Sequence, residues 1–412
     1  MSRIAHRRTI RQQGRSRGAG ASSADGLGRH QWLGLTAATL PGLAALVALL
    51  FTWREVGVAE EGQLTSRFND AITNLGSPSL DVRFGGIYAL ERIMQDSPRD
   101  QPRIISVLSA YMRSHAPVPA DGFATEPKDV AVTLKRRPST DVAAVMNVLA
   151  HRRPGHDEGA QLDWNRTDLR GLVVSTWDLK DIAALPKGGE LPSRRSSFSY
   201  AILESSDLRH ALLAGVDMRN AFASETNMSG ATFVRASLTN AQLDGADLTR
   251  AVLVETDLTG ADLSNANLHE AVLGATSDAP IRTQPSNLTN AILWNADLTG
   301  ASLRETNLTG AILVDANLKG ASLPGAKLHG AKLSSADESL QSEIPFGAVK
   351  DCANLVGANL TGADLTGADL RGVNLTGANL TNADLRGALL TGAKLTRAKT
   401  RGALGLPQAD HS

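Results

Sequence analysis

From Ala201 to Leu395 the chain repeats a five-residue unit: alanine, a polar residue, leucine, a variable residue, then often glycine. Ala358-Asn-Leu-Thr-Gly, Ala363-Asp-Leu-Thr-Gly and Ala368-Asp-Leu-Arg-Gly show it without interruption. Self-similarity at a fixed short period marks a stacked repeat architecture. Such solenoids present long flat faces rather than clefts, so a binding or scaffold role is expected before any site is considered.

Thirty-four units fit the pattern: fifteen centred from Leu203 to Leu273, ten from Leu288 to Leu333 and nine from Leu355 to Leu395. The central position is almost always Leu, with Met218, Ala223, Met228 and Phe233 as variants. A fully buried Leu contributes roughly 1.5–3 kcal/mol, so each turn of such a solenoid gains several of these terms. Two positions earlier stands a small residue, nearly always Ala, as a narrow interior requires. The last position is Gly in sixteen units and Asn in six, residues that tolerate the positive φ of a tight corner. Aromatic residues make up only 4 % of the chain, which a narrow core of Leu and Ala accommodates.

These Ala-Asp/Asn-Leu-x-Gly units resemble the pentapeptide-repeat family. The resemblance implies a right-handed, four-sided β-helix in which the central and small residues point inward and four units make one coil. The expected fold class is therefore mainly β: a right-handed quadrilateral β-helix over 160–405, preceded by a transmembrane helix and a small α-helical domain. Inserts are expected near 180–200, 275–287 and 334–353, with a tail at 406–412. Degenerate units near Leu169, Val174 and Leu179 are expected to start the rod. About eight and a half coils at the strand spacing of roughly 4.8 Å give a length of about 40 Å.

With four units per coil, outward positions recur every twenty residues. On that count one wall reads Leu212, Thr232, Val252, Val272, Ile292, Ile312 before the centre, and Ala214, Val234, Val254, Gly274, Trp294, Val314 after it. The count holds phase across 275–287 by taking the fifteen residues from Leu273 to Leu288 as three units. Leu212, Val252, Val254, Val272, Ile292, Trp294, Ile312 and Val314 form the candidate interaction stripe. An exposed apolar stripe of several hundred Å² marks an interaction site. Its occupant is left open among the chain's own helical domain or inserts, a protein partner or homodimer, and a membrane surface.

The N-terminal 31 residues hold seven arginines against one acid, Asp25, and are rich in Gly and Ser, a composition expected to stay disordered. Trp32 to Trp53 follows without a single charge. It is long enough to span a hydrocarbon core of roughly 30 Å, and its terminal Trp residues suit the interfacial belt. A secretory signal ending at Gly57-Val58-Ala59 and a buried soluble helix are the competing readings. The span is the expected one. The arginines ahead of it place the N-terminus in the cytoplasm and the repeat domain outside the membrane, with a cytoplasmic rod as the alternative topology. Residues 54–155 read as a small helical domain that caps the solenoid. Helices are expected at Ser66–Leu75, at Asp81–Met94, after Pro98 and Pro102, and at Asp141–Arg152.

No catalytic, cofactor-binding or metal-ligating constellation is expected. No phosphate-binding Gly-Lys-Ser/Thr loop occurs. Cys352 is the only cysteine, so an internal disulfide is excluded. The same twenty-residue count puts His210, His269 and His329 on one wall, with His269 and His329 three coils apart and too distant to share a metal. The 42 basic and 42 acidic residues balance, but unevenly along the chain. Residues 203–273 hold ten acids against four bases, and 355–405 six bases against three acids. The resemblance also brings in relatives that mimic DNA and bind type II topoisomerases. Here Asp207, Asp217, Asp247, Asp257 and Asp297 face outward, but Asn interrupts each acidic ladder. The expected function is a non-enzymatic, membrane-anchored scaffold or interaction platform, with topoisomerase-directed DNA mimicry as the alternative.

Overall fold

The computed structural model describes residues 62–119, 123, 137–174, 196–275, 284–335 and 351–406. The basic N-terminus and the expected span at 32–53 lie outside the described residues. Among the described residues no helix is long and apolar enough to cross a membrane. The chain divides into two units, Met1–Ser66 and Arg67–Ser412. The second holds nearly all that is described.

Among the described residues four α-helices come first: α1 over residues 62–75, α2 over Leu80–Asp96, α3 over Gln101–His115 and α4 over Thr140–Ala150. Pro102 stands in the first turn of α3, where its missing N–H costs no intrahelical bond. Ser79 precedes α2, but its side chain makes no cap hydrogen bond. The core is built from Ile87, Leu90, Ile104, Ile105, Leu108, Met112, Val142, Val145 and Leu149. Gly86 lets α2 approach α1 closely: a Cβ there would stand 2.7 Å from the carbonyl oxygen of Ala71 and 2.9 Å from the backbone nitrogen of Leu75. Asp141 is buried and accepts hydrogen bonds from Tyr111 Oη at 2.6 Å and Arg83 Nε at 2.9 Å. Burial opposes its ionisation, but hydrogen bonds from Ser139, Tyr111 and Arg83 win and hold the carboxyl well below its ordinary range. The same burial, reinforced by the Asp141 carboxylate, raises the Tyr111 phenol.

The rest is a four-sided β-helix. Each side of each coil contributes one residue to a parallel ladder, a single bridge rather than an extended strand. We name the sides A to D in chain order. Side A runs Asp163, Ile202, Phe222, Gln242, Asp262, Ile292, Ile312, Lys332, Asp369, Leu389, which is ten coils. The centres of the first coil are Trp164, Leu169, Val174 and Phe198. Phe198 packs edge-on against Trp164 at 4.9 Å. It closes the fourth side of that coil, so the repeat begins one unit earlier than the sequence count and ends in a complete tenth coil. Leu179 lies outside the described residues.

Within each coil the backbone alternates between neighbours. Leu248 N–H donates up to Asn267 at 2.7 Å, and Asp247 N–H donates down to Thr226 at 2.9 Å. Corner residues adopt positive φ, among them Gly260 at 65° and Asn290 at 56°. The helical unit joins the first coil directly. Pro117 bridges Thr167, Ser197 N–H donates to Ala150 O at 3.1 Å, and the buried Arg152 donates to Ser197 O at 2.6 Å.

Candidate interaction faces of the rod

Ladder register decides which outward residues share a face. Side C runs Val173, Leu212, Thr232, Val252, Val272, Ser302, Ser322, Asn359, Asn379, Lys399. Val272 therefore stands beside Ser302, while Ile292 stands between Asp262 and Ile312 on side A. The single apolar stripe expected from the sequence is two patches. Leu212, Val252, Val254 and Val272 lie on side C in coils 2–5; Ile292, Trp294, Ile312 and Val314 lie on side A in coils 6 and 7. The physical reason is the excursion after Ala275. It adds ten residues between consecutive sides, so the fifteen residues from Leu273 to Leu288 advance the helix by one side instead of three.

The same shift separates the histidines. His269 follows its centre on side B, His329 follows its own on side D, and His210 occupies a corner with φ of 58°. Among the described residues no group of His, Cys, Asp and Glu could hold a metal ion. Cys352 stands just ahead of the side-B ladder position Asn354, its thiol donating to Arg371 O at 3.2 Å.

The side-A patch is a small core outside the main one. Val314 and Ile312 are buried although they point away from the rod axis, and the half-buried Ile292 and Trp294 pack on them. The Trp294 indole N–H donates to Asp315 Oδ2 at 3.1 Å. On side C, Val173 is 47 % exposed; Leu212, Val252 and Val272 are half-buried and Val254 is buried. No ladder position or following residue of side C carries charge in these coils, from Val173 to Gly274. The other three sides carry Asp, Glu and Arg there.

Polar sides are built from one recurring device. The residue before the centre is Asp or Asn, and its oxygen accepts the backbone N–H and hydroxyl two residues on. Thr249 donates to Asp247 Oδ1 from its N–H at 3.0 Å and its hydroxyl at 2.6 Å. Arg replaces Thr in several coils and closes a two-pronged pair: Arg219 with Asp217, Arg371 with Asp369, Arg386 with Asp384. Asn amides link successive coils, as Asn307 Nδ2 does to Asn287 Oδ1 at 3.0 Å and Thr289 Oγ1 at 2.8 Å. On side B the acids alternate with Asn in the order Asp207, Asn227, Asp247, Asn267, Asp297, which spaces carboxylates two coils apart and limits their repulsion. At its base Asp207 and Arg209 are both 3 % exposed and paired at 2.6 Å. Burial opposes ionisation of the neighbouring Asp168, but Arg170 keeps its carboxyl below the ordinary range.

A groove of about 650 Å³ opens in the helical unit, floored by Met94 and Val148 and edged by Glu91, His151, Arg153 and His156. Its buried Gln101 is spoken for, donating to Arg153 O at 2.7 Å and Asp157 Oδ1 at 2.6 Å.

Pentapeptide repeats match in eight copies over residues 194–230, 236–274, 286–320, 301–337 and 353–392. The chain is similar to HetL, a pentapeptide repeat protein involved in heterocyst differentiation regulation in the cyanobacterium Nostoc sp. strain PCC 7120. Identity is 34 % over 50 % of this chain and 84 % of that one, with a TM-score of 0.24. A pentapeptide repeat protein of the Arabidopsis thaliana thylakoid lumen matches at 28 % identity over 31 % of this chain and 70 % of its own, with a TM-score of 0.24. QnrB1, a plasmid-mediated fluoroquinolone resistance protein, matches at 19 % over 48 % of this chain and 90 % of its own, with a TM-score of 0.31. No curated protein matches significantly. The repeat match and the identity to HetL, rather than these superpositions, assign the chain: it belongs to the pentapeptide-repeat family.

Proposed function

We propose that this protein is a non-enzymatic interaction platform, held at a membrane through residues 32–53 and presenting its β-helix to a protein partner or a second copy. The observation that carries this reading is the pair of apolar patches on a rod whose other outward positions are mostly hydrogen-bonded polar residues. Patches of this kind on a regular surface mark contact sites. The eight outward residues Leu212, Val252, Val254, Val272, Ile292, Trp294, Ile312 and Val314 are the candidates, divided between two sides. The positive-inside reading puts the rod outside the cytoplasm.

Topoisomerase-directed DNA mimicry is the second reading, favoured by the excess of acids in coils 2–5. The side chains weigh against it. Asp207, Asp217, Asp247, Asp257 and Asp297 each accept hydrogen bonds from the residue two positions on, and from Asp207 to Asp297 Asn separates the side-B carboxylates. The resulting surface is far less dense in charge than a phosphate backbone, which carries one charge per roughly 1.7 Å of duplex axis.

Two measurements test the choice. In sealed inverted vesicles, an epitope after Ser412 is expected to be protected from protease and to stay with the membrane after alkaline extraction. An epitope released with the soluble fraction would sink the anchored reading. Purified protein is expected to leave gyrase supercoiling unchanged, whereas inhibition would revive mimicry.

A further inference from the structure

The last coil has a charge distribution that the interaction patches do not use. Residues 387–406 contain four cations, Lys394, Arg397, Lys399 and Arg401, and no carboxylate. Lys394 occupies the ladder position of side B and Lys399 that of side C. Arg397 sits at the turn between them with φ of 60°, and Arg401 at the turn that follows side C. All four are exposed. The two coils below offer Asn354, Asn359, Asn374 and Asn379 at the ladder positions of the same sides. The ladder carboxylates of coils 8 and 9, Asp364, Asp369 and Asp384, stand on sides D and A. Asp369 and Asp384 are also held by Arg371 and Arg386, each at 2.6 Å. Among the described residues, Asp351 lies just ahead of Asn354, the side-B ladder position of coil 8. The B and C sides of coil 10 thus carry positive charge alone among the described residues.

We propose that this edge docks on an anionic phospholipid surface. The edge is convex and has no walls, so it suits a broad charged surface better than a small phosphorylated ligand, which is held in a concavity. It has no aromatic side chain on which a base could stack, as single-stranded nucleic acid would require. Clusters of Lys and Arg close to a membrane are drawn to anionic headgroups, and salt screens the attraction. The inference rests on the membrane-held reading above, because a tether is what keeps the rod near lipid.

The test uses the full chain with Cys352→Ser and Thr396→Cys, labelled at position 396 with a donor fluorophore. The protein is placed in phosphatidylcholine vesicles with and without phosphatidylglycerol, each carrying an acceptor lipid. Energy transfer is expected only with phosphatidylglycerol. It is expected to be lost at high salt and in the Lys394→Glu, Arg397→Glu, Lys399→Glu, Arg401→Glu variant, and lost equally when the four become Gln. Transfer that ignores phosphatidylglycerol, or survives all four substitutions, overturns the inference. Tighter binding of random-sequence duplex DNA through the same four residues overturns it in favour of nucleic acid. Failure of the anchor is separately visible, as a chain that floats with neither vesicle after alkaline extraction. If flotation of unanchored chain still requires phosphatidylglycerol and the four cations, the lipid-docking edge stands without the anchor. If it does not, both readings fall.

Discussion

The helical unit and the rod are held together by opposite strategies. In the helices stability is concentrated. One buried carboxylate, Asp141, ties α4 to Tyr111 of α3 and Arg83 of α2, and one glycine, Gly86, sets the closest approach of α1 and α2. In the rod it is spread over ten coils, of which coils 2 to 9 are filled mainly by buried Leu and Ala, with backbone bonds from each coil to its neighbours. A quasi-one-dimensional stack loses only local and nearest-neighbour terms when one repeat is damaged. The first region should therefore fail as a whole from a single point, and the second should soften coil by coil.

The largest expected effect is at the concentrated end. Asp141→Ala leaves Arg83 and Tyr111 without their acceptor and should cost the helical unit about 3–5 kcal/mol. Hydrogen exchange should then accelerate throughout α2, α3 and α4 and stay unchanged in coils 4–9. Uniform protection of the helices would remove Asp141 from its central place. The same carboxyl gives a pH signature. Its folded pKa is depressed from the ordinary value of 3.8, so its stabilisation is present above that value and lost as pH falls below it. Acid is expected to loosen the helices ahead of the rod.

Next comes a central leucine. Leu298→Ala in coil 6 should cost about 3 kcal/mol from lost burial and the cavity left behind, with faster exchange confined to coils 5–7. Exchange spreading evenly from coil 2 to coil 10 would mean the rod unfolds as one cooperative body. Smallest is Asp384→Asn on the exposed part of side D. Its carboxyl is held low by Arg386, yet the pair is solvent-screened and Asn keeps the oxygen that accepts the backbone N–H. The melting temperature should not move, and a clear drop would show the outward Arg pairs to be structural.

The two regions also differ in how much their residues announce. From the second coil on the same five-residue signal recurs, so the β-helix, its Leu centres and its Gly and Asn corners were legible at once. The Asp141 lock was not, because a single acid in the first turn of an amphipathic helix looks like an ordinary N-terminal residue; only its burial beside Tyr111 and Arg83 gives it weight. Phe198 was missed as a centre because the first coil is interrupted between Val174 and Ser196. The interaction stripe was half legible. Its residues were found, but periodicity modulo five cannot tell three units from one unit plus a ten-residue excursion. The one available signal was the loss of the Ala-x-Leu pattern after Ala275, with Pro280 and Pro285 within a few residues.

That register underlies the division of the apolar residues into two patches, and cysteine pairing tests it most directly. In a Cys352→Ser background, Asp262→Cys with Ile292→Cys places two thiols on adjacent rungs of side A, and Val272→Cys with Ile292→Cys places them on different sides. Mild oxidation is expected to join 262 to 292 rapidly and to leave 272 and 292 free. Rapid pairing of 272 with 292 would restore a single continuous stripe and contradict the two-patch surface.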